Sequence, residues 1–161
     1  LGLASVLALL LATVRPWLQD DIRDMRVREA DSAYLTALVQ SLASEDELVI
    51  SDYQNLNFLA GRRSTYCGAE LSGLTCRSGQ VTGAALIEEI ERQDVTVVVL
   101  NARGDAHHMV AMPDYPHFRA FLQSHFALVC TYKCAYDARE FEVYARAKAS
   151  GPALPPEALM R

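Results

Sequence analysis

The chain has 161 residues, 51% of them hydrophobic and 22% charged, and a formal charge of −5. That composition belongs to one ordinary globular domain, not to a disordered segment, and the acidic balance excludes a general electrostatic attraction to nucleic acid. Arg23, Arg26 and Arg28 are interleaved with Asp20, Asp21, Asp24 and Glu29, which makes a solvated face and not a basic patch.

Residues 1–14 (LGLASVLALLLATV) contain no charge, no amide and no proline. At about 1.5 Å per residue such a run reaches roughly 20 Å, short of the roughly 30 Å hydrocarbon core of a bilayer. With Leu1 in place of an initiating methionine, the run predicts the end of a transmembrane helix whose earlier turns precede the chain. Arg15, Pro16 and Trp17 follow as a charge to stop the span, a helix-ending imide and an amphipathic ring suited to the headgroup layer. Two alternatives compete. A signal-peptide core would carry a basic segment before it and a small-x-small cleavage site after it. A buried core helix would keep a polar stripe, and this run offers only Ser5 and Thr13. The expected organisation is thus the end of a transmembrane helix (1–18), a juxtamembrane stem (19–30), an extramembrane α/β domain (31–147) and a loose, proline-bearing tail (148–161). Arg15, Arg23, Arg26 and Arg28 favour the cytoplasm for this flank by the positive-inside rule, diluted by Asp20, Asp21 and Asp24.

Asp31 or Ser32 can N-cap a helix whose apolar residues Leu35, Leu38, Val39 and Leu42 share one face. Residues 48–51 (LVIS) read as a short buried strand, and Ser51 or Asp52 as the cap of a second helix with Leu56 and Leu59 inward and Gly61 as its left-handed stop. Residues 62–79 are turn-rich, with one short strand expected near 65–71. Thr82 caps a helix carrying Leu86, Ile87 and Ile90, and residues 96–100 (TVVVL) form the β-branched run of a strand covered on both faces. A loop over 101–115 leads to Pro116 in the first turn of a helix carrying Phe118, Phe121 and Leu122. Residues 128–132 and 141–145 alternate with period two across 135–139, the pattern of an antiparallel hairpin. The fold class is α/β: a small mixed sheet in two or three layers with flanking helices and a C-terminal hairpin, preceded by a partial transmembrane helix.

Asp52 stands where a strand gives way to a helix, the end of an open α/β sheet at which ligands bind, although a helix cap is the commoner role there. Asn101 and Arg103 hold the equivalent place after the second clear strand and line the same crevice if the two strands are parallel neighbours. Arg62 and Arg63 have the chemistry to hold an anionic group such as a phosphate, or simply to decorate the surface after a helix stop. The Arg103-Gly104-Asp105 tripeptide matches a cell-adhesion motif, but three residues recur by chance. His107 and His108 are adjacent and diverge on any regular element, so they make no metal site, and no metal or other cofactor is expected in the chain. Cys67 and Cys76 flank a stretch that a disulfide can close. Cys130 and Cys134 lie some 13 Å apart if their strand is unbroken, beyond the roughly 7 Å a disulfide spans, so buried free thiols are expected there. No Gly-rich phosphate loop, Gly-x-Ser-x-Gly elbow, HExxH or CxxC is present.

The order of features nevertheless resembles the carboxy-terminal end of a polytopic GT-C glycosyltransferase of the protein-mannosyltransferase and aminoarabinose-transferase type. The resemblance rests on the apolar helix end, a stem helix (SAYLTALVQSL), then VISDYQNLNFLAGRRS, a Gly-x-Val-Thr step into GQVTGAALIEEIERQDVTVVVL, and the closing FRAFLQSHFALVCTY and FEVYAR. It implies an extracytoplasmic domain whose partners are the lipid bilayer, the upstream transmembrane region of the same protein and, indirectly, a polyprenyl-phosphate-linked sugar donor. In such families the catalytic carboxylate lies in the first extramembrane loop, so no residue of this chain inherits that role. The Trp-rich motif of the oligosaccharyltransferase branch has no counterpart, since Trp17 is the single tryptophan. The function expected is that of a noncatalytic terminal domain of a membrane glycosyltransferase. The alternatives are a membrane-anchored extracytoplasmic ligand-binding or interaction module, with its pocket near Asp52 and Asn101, and a free-standing α/β enzyme that buries residues 1–14 as core.

Overall fold

A computed structural model describes residues 3–103, 108–137 and 139–146, with side chains from residue 19 onward except that of Gln54. The 148–161 tail, Gly104, Asp105 and His107 lie outside the described residues. The elements in chain order are α1 (Leu3–Leu42), β1 (Val49–Ser51), α2 (Gln54–Ala60), α3 (Tyr66–Ala69), α4 (Gly73–Arg77), α5 (Gly83–Arg92), β2 (Val97–Arg103), a 3-10 turn (Met109–Ala111), α6 (Tyr115–His125), β3 (Ala127–Lys133) and β4 (Glu140–Ala145). The strands form one mixed sheet in the order β1-β2-β4-β3, parallel between β1 and β2 and antiparallel elsewhere. The α/β class, the mixed sheet and the terminal hairpin are as the sequence predicts.

Alternation of side chains along the strands divides the core in two. Val49, Val97, Val99, Phe141 and Val143 face α1 and α2, packing with Leu35, Leu38, Val39, Ala43, Leu56 and Ala60. Ile50, Val98, Leu100 and Tyr144 face the other way, toward Leu71, Cys76, Leu86, Ile90, Phe118 and Leu122 of the α3 to α6 side. The sheet is therefore the middle of three layers, which explains why Val97 to Leu100 show no polar alternation: both faces are covered.

Several local signals act as expected. Gly61 ends α2 at φ 64°, ψ 36°, where a side chain would be strained. The Thr82 side chain accepts from the Ala85 amide at the start of α5, and Pro116 sits in the first turn of α6. Five expectations are corrected. Leu59 is exposed instead of inward, and Leu56 with Ala60 carries the packing of α2. No helix begins at Asp31 or Ser32, because α1 is one 40-residue helix running from the apolar segment into the core. It also runs through Pro16; the imide forfeits one intrahelical hydrogen bond, a local cost that the turns on both sides absorb. Packing begins at Asp31: between Gln19 and Ala30 only Ile22 and Val27 are half-buried, and the rest are exposed. The strand expected near 65–71 is replaced by α3 and α4, whose first turns are capped by Thr65, accepting from the Gly68 amide, and by Ser72, which forms a capping box with Thr75. The strand β2 reaches Arg103, so the loop after it starts later than 101. Among the described residues no helix is long and apolar enough to cross a membrane.

Candidate functional site

The parallel pairing of Val49, Ile50 and Ser51 with Val97, Val98 and Val99 brings the C-terminal ends of β1 and β2 side by side. Asp52 and Asn101 extend those ends, and on the other flank Asn101 is paired in register with Phe141 of β4. The crevice so formed is a cavity of about 180 Å³ lined by Asp52, Tyr53, Asn55, Asn101, His108, Arg139 and Phe141. The parallel-neighbour condition for Asp52 and Asn101 to share a crevice is met.

Asp52 does not cap α2. The cap position is Tyr53, which makes no side-chain cap bond, and Ser51 closes the turn by accepting from the Tyr53 amide. The Asp52 carboxylate reaches across the sheet end and accepts from the His108 amide at 3.0 Å and the Met109 amide at 3.4 Å. It is 3% exposed. Burial pushes its pKa up to about 6, outweighing those amides, the His108 charge and the Asn101 amide, all of which pull it down. The group therefore titrates close to neutrality, at a depth where charge is costly.

Asn101 is 1% exposed, and its Oδ1 has no hydrogen-bond partner. Arg139 enters from the loop between β3 and β4. Its Nε donates to Asp137 at 2.7 Å, and its guanidinium lies 5.3 Å from the centre of the Tyr53 ring. Tyr53 and Phe141 are themselves 5.7 Å apart, ring to ring. These three residues also wall a second cavity of about 290 Å³, completed by Arg28, Asp31, Ser32, Leu35, Cys134 and Asp137. Chain-family models, curated protein sequences and solved structures offer no match.

The other predicted site residues go elsewhere. Arg62 donates to the carbonyls of Ala43 and Ala60, and so ties the C-terminal end of α1 to that of α2. Arg63 donates to the Asp46 carbonyl, and neither arginine lines the crevice. Arg103 is exposed and pairs in register with Glu140. All four cysteines are free thiols, so the Cys67–Cys76 disulfide is not formed. Burial pushes Cys67 and Cys134 up to about 11, with Glu89 reinforcing the effect at Cys67 and Asp31 at Cys134; both stay protonated at neutral pH and are poor nucleophiles. Among the described residues no group of three His, Cys, Asp or Glu is placed to hold a metal ion.

Tyr53, Asn55, Arg139 and Phe141 join the site without having been singled out from the sequence. His108, which the sequence offers only as half of an adjacent histidine pair, is half-buried and donates its amide to Asp52. Its one sequence-level signal is proximity to the end of β2. Arg139 and Phe141 arrive only through the hairpin pairing, which adjacency along the chain does not reveal.

Proposed function

We propose that the chain is the noncatalytic C-terminal domain of a membrane glycosyltransferase that takes its sugar from a polyprenyl-phosphate-linked donor on the extracytoplasmic side. The observation that carries this reading is α1, which continues without a break from the apolar residues at its start to Leu35, Leu38 and Val39 in the core. At about 1.5 Å per residue its 40 residues extend some 60 Å. A bilayer holding the apolar end would hold the domain at a fixed distance through the exposed, charged turns of 19–30. The segments that carry the resemblance cover β1, α2 and the Gly61 turn (VISDYQNLNFLAGRRS), α5 and the first four residues of β2 (GQVTGAALIEEIERQDVTVVVL), and most of α6, β3 and β4 (FRAFLQSHFALVCTY with FEVYAR). Catalysis is assigned to the first extramembrane loop of the whole protein.

Flotation of the 161-residue chain with phosphatidylethanolamine and phosphatidylglycerol vesicles tests the anchor. The chain is expected in the lipid fraction, and a Leu9→Asp, Leu10→Asp variant in the soluble one. A wild-type chain that stays monomeric and free of lipid sinks the reading. The transferase itself is tested on the product of the whole open reading frame: sugar transfer from a polyprenyl-phosphate donor should vanish when the acidic residue of the first extramembrane loop is replaced by its amide. A second reading, an extracytoplasmic ligand-binding module, is favoured by the Asp52 and Asn101 crevice. It predicts one span upstream in place of several.

A further inference from the structure

We infer that the crevice at the ends of β1 and β2 binds one ring of a neutral, hydroxyl-rich sugar, with Asp52 and Asn101 accepting its hydroxyl hydrogens and Tyr53 and Phe141 lining its carbon face. The starting point is Asn101. An amide oxygen at 1% residue exposure with no partner is costly to leave bare, and this one belongs to a residue lining a cavity. Beside it the Asp52 carboxylate receives two backbone amides, which leaves lone pairs for further donors. The crevice thus asks its occupant for hydrogen-bond donors.

Charge narrows the class. A cation would suit Asp52 and Asn101 but must share the cavity with the Arg139 guanidinium. An anion would suit Arg139 but must approach a buried carboxylate with no second arginine among the lining residues. A neutral ligand that both donates and accepts meets neither objection, and hydroxyl groups do both. Arg139, His108 and Asn55 supply donors for its oxygens, while the Tyr53 and Phe141 rings supply an apolar surface for its C–H groups.

Size narrows it further. The cavity of about 180 Å³ is below the roughly 300 Å³ at which pockets for drug-sized molecules begin, so one ring is the natural occupant. The adjoining 290 Å³ cavity shares Tyr53, Arg139 and Phe141 with it and gives a linked second ring a place to go, against Arg28, Asp31 and Asp137. This inference uses only the domain's own residues, so it stands or falls apart from the membrane reading.

The test uses the full chain in a sugar-free zwitterionic detergent, titrated with the methyl glycosides of mannose, N-acetylglucosamine and arabinose while amide and side-chain NMR signals are followed. At least one glycoside should bind with a Kd in the millimolar range or tighter, shifting Asn101, His108 and Asn55. Asn101→Leu, which removes the orphan oxygen, should weaken binding about tenfold without lowering the thermal midpoint. Should that variant fail to fold, Asn55→Ala at the exposed lip is expected to weaken binding severalfold in an intact domain. The inference is overturned if no glycoside shifts these signals, if binding is equally strong in both variants, or if tetramethylammonium or inorganic phosphate occupies the crevice and the glycosides do not.

Discussion

Asp52 gives the sharpest physical prediction, because its titration runs opposite to that of most carboxylates. Its pKa is raised from 3.8 to about 6, so the folded chain holds this proton more tightly than the unfolded chain does. Stability contributed by the neutral form is complete at low pH, falls as pH rises from about 4 to about 6, and stays lost above that. At about 1.4 kcal/mol per pKa unit, ionising Asp52 in place costs on the order of 3 kcal/mol. The measurement is the urea midpoint of the wild type and of Asp52→Asn at intervals from pH 4 to pH 7.5, read by tyrosine fluorescence. Asparagine cannot accept both the His108 and Met109 amides, so the variant carries a constant offset; the informative quantity is how the difference between the two proteins changes with pH. Groups that titrate alike in both proteins cancel. The wild type should lose up to about 3 kcal/mol relative to the variant between pH 4 and pH 7.5. A difference flat to within about 0.5 kcal/mol, or a carboxyl carbon NMR midpoint near the unperturbed value, would show that hydrogen bonding and not burial governs Asp52.

Three further outcomes follow from the packing. Gly83→Ala would place a Cβ 2.8 Å from Phe118 Cβ and 3.2 Å from the Asp114 carbonyl oxygen, so a loss of about 1–3 kcal/mol is expected in urea denaturation. Asp114→Ala removes the acceptor of the Gly83 and Ala84 amides at the start of α5 and should cost about 1–2 kcal/mol at neutral pH. Burial pushes the Asp114 pKa up, but those two amides and its own outweigh it and hold the group below its usual range; the stabilisation should therefore be present above the unfolded-state pKa and fade as pH falls through the lowered one. Leu35→Ala should cost about 2–5 kcal/mol, whereas Met25→Ala on the exposed stretch of the same helix should change stability by no more than about 0.5 kcal/mol. Equal effects at the two positions would mean that α1 does not enter the core at Asp31.

What the sequence made legible was governed by local chemistry. Thr82, Gly61 and Pro116 act within one turn of themselves, and the β-branched run of β2 and the alternation of the hairpin report burial directly. Thr65 and Ser72 were equally local caps, but the mixed, turn-rich residues around them suggested turns and one strand instead of two short helices. The misreadings with long-range causes share one residue type. Asp31 looked like an N-cap, yet its carboxylate accepts from the Tyr132 hydroxyl and from the amides of Ala135 and Tyr136, about a hundred residues away. Asp52 also looked like an N-cap, yet it serves amides 56 and 57 residues away. A carboxylate before a helical pattern announces that backbone amides will be capped; it does not say whose. The crevice was half legible for the same reason. Asp52 and Asn101 follow from strand ends, while Arg139 and Phe141 depend on which strand β4 chooses to pair with.

Asp31, Asp52 and Asp114 therefore do one mechanical job three times, each accepting two backbone amides that no helix or strand satisfies: in the β3–β4 loop, at the 3-10 turn and in the first turn of α5. Their electrostatics separate a staple from a site. At Asp114 the amides win, the pKa falls, and the carboxylate is stable in its charged form at the helix start, where the helix dipole also favours it. At Asp52 burial wins although the same kind of bonds are made, so the fold carries a strained charge that its own hydrogen bonds do not repay. A second unfavourable term is the unpartnered Oδ1 of Asn101, a residue that lines the same cavity. Were stapling the whole role of Asp52, an apolar neighbour at position 101 would serve the fold better than an orphaned amide. A buried carboxylate and an orphaned amide oxygen meeting in one crevice at the carboxyl end of parallel strands are what an occupant with hydroxyl groups would relieve, and Asp114 has no such neighbour at the start of α5.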